Sequence, residues 1–83
     1  MSDGYANIES LVRYLVESLV DSPEAVRVSS SLEDGALRIS VAADPADVGK
    51  IIGRSGRTIK SIRTLARAAA SSSSFSVDVD VEG

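Results

Sequence analysis

The chain has 83 residues, 43% hydrophobic and 25% charged, with no cysteine, no histidine and a formal net charge of −3. That length holds one small domain whose single core takes up most of its apolar side chains, and the composition excludes a disulfide framework and a thiolate metal site. An acidic total also argues against nonspecific attraction to nucleic acid or to an anionic membrane by the molecule as a whole.

In chain order, Met1-Ser2-Asp3 is polar and acidic, unlike a secretory leader. No apolar run approaches the roughly 18 residues of a bilayer span, so a cytoplasmic protein is expected. Ile8, Leu11, Val12, Leu15, Val16 and Leu19 recur with helical period and predict a first helix ending near Asp21-Ser22, ahead of Pro23. From Val26 to Val41 the period drops to two, with Val28, Leu32, Leu37, Ile39 and Val41 as the apolar set. The two runs meet at Asp34-Gly35, a favoured two-residue hairpin turn. If Glu33 pairs with Ala36, Leu32 falls opposite Leu37 and Val28 opposite Val41, so both apolar sets share one face.

Asp44-Pro45-Ala46-Asp47 reads as a helix start, with Asp44 as N-cap, Pro45 at the first helical position and Asp47 near the positive end of the dipole. Helix capping is thus expected to account for both acids. Gly53 ends that short helix after about two turns, and a third opens around Gly56 and runs to about Ala70. It places Ile59, Ile62, Leu65, Ala66 and Ala69 on one side and Arg57, Lys60, Arg63 and Arg67 on the other. Ser71 to Ser74 makes a loop, and Phe75, Val77, Val79 and Val81 alternate with polar residues in a last strand. The order α-β-β-α-α-β predicts a two-layer α+β domain with helices on one face of a three-stranded sheet.

Charge is unevenly spread. Residues 50–67 carry Lys50, Arg54, Arg57, Lys60, Arg63 and Arg67 and no acid, a charge of +6, while the remainder holds three bases against twelve acids, a charge of −9. Inside the basic segment, Gly53 and Gly56 leave the backbone between two helices bare of Cβ atoms. Unpaired N–H groups at the start of the following helix, together with Arg54, Arg57 and Lys60, suit that joint to a sugar-phosphate backbone. A phosphate loop of the nucleotide-binding kind is excluded: the residue five after Gly49 is Arg54, and the required Gly-Lys-Ser/Thr is missing. With no histidine or cysteine and no activated serine, nothing supplies an enzyme's base, nucleophile or metal ligand set, and no cofactor is expected.

The stretch Ile51-Ile52-Gly53-Arg54-Ser55-Gly56-Arg57-Thr58-Ile59-Lys60-Ser61-Ile62 resembles the signature of the KH domain, whose GxxG loop clamps the backbone of about four single-stranded nucleotides. A helix and strand ahead of the shared βααβ core is the bacterial, type II arrangement. That resemblance implies a mixed sheet in which the second strand is central, antiparallel to the first and parallel to the third. It covers residues 1–83, with the motif core at 44–70, and in length the chain is similar to the KhpA family of small bacterial RNA-binding proteins. The likeness implies a post-transcriptional regulator or RNA chaperone that binds single-stranded RNA, forms a homodimer or a heterodimer with a KhpB/Jag-like KH protein, and needs no cofactor or metal. The motif implies Gly53, Arg54, Ser55 and Gly56 as the phosphate clamp, with Ile52 and Ile59 flanking the groove. Charge and helical phase add Lys50, Arg57 and Lys60; Arg63 and Arg67 lie further off and read as solvated surface. With only Tyr5, Tyr14 and Phe75 as aromatics, weak and sequence-tolerant binding is expected. An adaptor role, in which the fold serves dimerisation and a partner supplies most RNA binding, stays open, and so does the placement of Ile51 and Ile52 in the core or against a second chain.

Overall fold

The structure, a computed structural model, describes residues 5–71 and 73–82; the N-terminal Met1-Ser2-Asp3 and Ser72 of the serine tract lie outside the described residues. Helix α1 spans Ala6–Leu19, strands β1 and β2 span Arg27–Glu33 and Ala36–Ala42, helices α2 and α3 span Val48–Ile52 and Arg57–Ala69, and strand β3 spans Ser76–Glu82. Short 3-10 turns at Pro23–Ala25, Pro45–Asp47 and Arg54–Gly56 join them.

The sheet order is β1-β2-β3, with β2 antiparallel to β1 and parallel to β3. The expected register holds: Glu33 faces Ala36, Leu32 faces Leu37 and Val28 faces Val41. Asp34 and Gly35 both take positive φ, 53° and 76°, as a two-residue type I′ turn requires. In the parallel pair Leu37 lies opposite Val77 and Ile39 opposite Val79. These side chains form one apolar face, against which Ile8, Val12 and Val16 of α1, Ile51 of α2 and Ile59, Ile62 and Ala66 of α3 close the core. The other sheet face carries Arg27, Ser29, Arg38, Asp78 and Asp80 and meets solvent.

The helical stripes are narrower than their sequence period suggests. Leu19 and Leu65, expected on the buried faces, are 39% and 48% exposed, and Ala69 is exposed as well. One flank of a three-stranded sheet covers only the centre of each stripe, and residues at its margin stay in water.

Candidate nucleic-acid interface

The site begins at a helix too short to stand alone, because a single turn does not recover the entropy of nucleating it. Asp44 starts the segment by accepting the N–H of Ala46 at 2.9 Å, with Pro45 directly behind it. Asp47, expected to serve the helix dipole, makes no capping hydrogen bond. It is instead 2% exposed and turned back toward the end of α1, where its oxygens accept the N–H of Asp21 at 3.2 Å and of Ser22 at 3.0 Å. Those two amides lie past the last turn of α1, where the chain turns toward Pro23 and no helical partner remains. Lys50 donates to Asp47 at 3.1 Å and also to Asp21. Burial pushes the Asp47 carboxyl up, but the Lys50 hydrogen bond, the two backbone N–H groups and the Lys50 charge outweigh it and hold the group below the ordinary carboxylate range. Lys50 is raised in turn, by Asp21 first and then by Asp47, against the cost of its own partial desolvation.

Gly53 then closes α2 by donating its N–H to the Gly49 carbonyl at 2.8 Å, with φ 76° and ψ 171°. A Cβ there would lie 2.2 Å from Thr58 Oγ1 and 2.9 Å from the Thr58 nitrogen, so α3 passes directly over this glycine. Gly56 differs. It is left-handed, at φ 73° and ψ 16°, but the space around it is open. Between them Ser55 is also left-handed, at φ 58°, an uncommon state for a residue with a side chain.

The loop is a tight 3-10 turn in which Gly56 N–H reaches the Gly53 carbonyl and Arg57 N–H the Arg54 carbonyl. Two N–H groups expected to be open at the start of α3 are therefore occupied. Arg54 and Ser55 form the crown of the loop. Both side chains are exposed, as are Arg57 and Lys60 on the first turns of α3. None of Arg54, Arg57 and Lys60 forms an ion pair with a described residue. The arrangement is a tightly turned, exposed backbone beside the positive end of a helix, flanked by cations without a carboxylate partner among the described residues, a geometry suited to phosphate oxygens.

The remaining candidate residues divide. Ile52 is 38% exposed beside the loop, whereas its neighbour Ile51 is 0% exposed in the core. Ile59, expected to flank the groove, is also a core residue. Lys50 has its ammonium committed to two carboxylates. Arg63 and Arg67 are not free surface cations: each donates its Nε to a β3 carbonyl. Asp47 is the residue that sequence reasoning missed in this region, since the Asp47–Lys50 spacing marks an ion pair but nothing marks the distant amides the acid holds.

Comparison with known proteins places these features in a family. Residues 9–81 match the family model described as the KH domain of KhpA/KhpB. The chain is similar to the RNA-binding protein KhpA of Halalkalibacterium halodurans, 38% identical over 74 residues that cover 89% of this chain and 97% of that one. It is similar also to those of Bacillus subtilis, 36% identical over 90% of this chain and 93% of that one, and Leifsonia xyli, 41% identical over 80% and 87%. Among solved structures, a variant of Aquifex aeolicus Era bound to GDP and aluminium fluoride shares the fold, with TM-score 0.67 and 16% identity over 98% of this chain; the match spans 31% of that chain.

Proposed function

We propose a function from one premise: the chain belongs to the KhpA/KhpB family of KH domains. That family consists of RNA-binding KH proteins, not enzymes, and this member holds single-stranded RNA with the sugar-phosphate backbone at Gly53-Arg54-Ser55-Gly56. The observation that carries the reading is the exposed, tightly turned Gly53–Gly56 backbone set among Arg54, Arg57 and Lys60, which form no ion pair with a described residue. Arg57 and Lys60 continue the positive track along α3, and Ile52 offers an aliphatic wall beside it. Lys50 joins only by exchange, since phosphate has to displace Asp21 or Asp47. With no stacking platform visible at the loop, the contact is made mostly to backbone and tolerates sequence. Such a protein acts in the cytoplasm as a post-transcriptional regulator or RNA chaperone.

The test replaces Arg54 and Ser55 together with aspartate and keeps both glycines. A matched control, Ser10→Asp with Arg38→Asp, makes the same change in net charge at exposed positions away from the loop. Binding to a single-stranded oligonucleotide should be lost in the loop variant, at least about tenfold, and largely kept in the control. A loop variant that stays folded and binds as before makes the loop structural, and the adaptor role takes over.

Assembly belongs to the same reading. A domain this small buries little of its surface, and Leu65 and Ile52 remain exposed. The working form is a homodimer or a heterodimer with a KhpB/Jag-like KH protein. Light scattering over a concentration series should give a mass above that of one chain, and a strict monomer that also ignores such a partner overturns this part.

A further inference from the structure

Beyond the loop, α3 and the edge strand β3 run antiparallel and meet along an alternating row of charges. Arg63 donates its Nε to the Val79 carbonyl at 2.9 Å, and Arg67 its Nε to the Val77 carbonyl at 3.1 Å. Four residues of helix rise about 6 Å and two residues of strand about 6.6 Å, so successive arginines on one face of α3 meet successive outward carbonyls of β3. The acids of the strand stand beside them. Asp78 Oδ1 lies 3.5 Å from Arg63 Nε and 3.9 Å from Arg67 Nη2, and Asp80 Oδ1 lies 3.7 Å from Arg63 Nη2. Asp78 Oδ1 also accepts the N–H of Val79 at 3.0 Å.

Two properties separate this row from a closed structural ion pair. All four side chains keep 30% to 58% of their surface in water. The carboxylate contacts are longer than the roughly 2.7–2.9 Å of a charge-assisted hydrogen bond, so the carbonyls fix the guanidinium groups through Nε while the acids only neutralise them. Beside the row lies an open groove lined by Lys60, Arg63, Thr64, Arg67 and Asp78, whose Lys60 end adjoins the first turn of α3 and hence the loop.

We infer that Asp78 and Asp80 are built-in competitors for RNA phosphate, holding the charges of Arg63 and Arg67 in check and thereby setting how tightly and how salt-dependently the chain binds RNA. The inference rests on the proposed RNA-binding function and adds to it the residues that limit it. A phosphate entering the groove takes up the Nη donors without breaking the Nε–carbonyl bonds, and the two acids oppose it. Salt bookkeeping follows. A neutralised phosphate releases about 0.7 of a counterion from single-stranded nucleic acid, but a carboxylate that loses its arginine takes a cation back. In the native chain the exchange is nearly silent in salt.

The experiment uses the full chain and a fluorescent single-stranded oligouridine of about ten nucleotides, within the site sizes of single-strand binders. Asp78→Asn with Asp80→Asn removes both charges and keeps an oxygen for the Val79 N–H. Glu24→Gln with Glu33→Gln makes the same net change at exposed positions elsewhere. The asparagine variant should bind roughly fivefold more tightly than that control at low salt, the scale of an exposed ion pair or two. Its log–log salt slope should steepen by about 1.4, for two further phosphates. Adding Arg63→Gln and Arg67→Gln to it should cancel the gain. If the asparagine variant only matches the control, the seam is a structural staple and the inference is overturned, while binding by the native chain leaves the proposed function standing. If no chain binds the oligonucleotide, the proposed function fails and takes this inference with it. Should the glutamine substitutions melt the domain, the comparison of asparagine variant with control still decides.

Discussion

Asp47 is a single carboxylate that ties together two parts of the chain: the segment after α1 through the amides of Asp21 and Ser22, and α2 through Lys50. Its buried charge is therefore part of the fold, and removing a partner leaves an uncompensated group. Because its folded pKa lies below the unfolded value, its contribution is present above the unfolded pKa of about 3.9 and lost as pH falls through the lower folded value. Lys50, raised in the fold, contributes fully below about 10.4 and loses that contribution as pH rises through its higher folded value. Melting temperatures of the native chain and an Asp47→Asn variant should differ most between these limits and converge in acid. Equal curves at neutral pH would remove the latch. The two loop glycines make a second residue-scale contrast. Gly53→Ala meets both a forbidden backbone region and the Thr58 backbone, and should cost more than about 2 kcal/mol in denaturant unfolding. Gly56→Asn has only the left-handed state to satisfy, which asparagine tolerates, and should cost under about 1 kcal/mol. The need for glycine at the loop was legible from spacing; that the two positions need it for different reasons depends on where Thr58 comes to lie.

At the scale of elements, α2 shows how neighbouring identical residues take opposite duties. Ile51 is sealed in the core and Ile52 looks outward beside the loop, so the question that their identity left open is answered for Ile51. Ile51→Ala should therefore cost about 2–5 kcal/mol, and Ile52→Ala no more than about 0.5–1 kcal/mol, measured by urea unfolding. Similar losses at the two would mean that α2 is rotated from this orientation. The hairpin register was readable because turn geometry and the two-residue period constrain it independently and agree at Glu33–Ala36. Helix α3 was read less well, for a geometric reason. At about 100° per residue, the buried set Ile59, Ile62, Ala66 and Ala70 centres on a line from which Leu65 lies about 105° away and Arg63 only about 55°. Polarity alone assigned leucine to the inside and arginine to the outside. The sheet edge reversed them, burying the arginine stem and satisfying its Nε with a strand carbonyl.

For the whole molecule, charge separation decides how RNA is approached. The α-β-β-α-α-β order was legible because the apolar period changes between helix and strand and because Asp34-Gly35 and Gly53/Gly56 mark the boundaries between like elements, but the pairing of β3 acids with α3 arginines arises only when the parallel crossover folds the last strand back beside the helix. Outside residues 50–67 the chain carries −9, so a long polyanion gains nothing from contact with the rest of the surface. Affinity should accordingly stop rising once an oligonucleotide spans the loop and its groove, in contrast to a uniformly basic protein, which keeps adding contacts. With about three phosphates engaged at the loop and the seam self-neutralised, the log–log salt slope of the native chain should be roughly −2. On the proposed reading, duplex RNA of equal length should bind more weakly, because a narrow turn has room for one strand and the second strand brings further phosphates toward the acidic surface. Titrations at several salt concentrations, with single-stranded and duplex oligonucleotides of two lengths, test the three expectations together. A slope near zero, equal affinity for duplex, or affinity that climbs steadily with length would each show that the contact is not a single strand held at Gly53–Gly56.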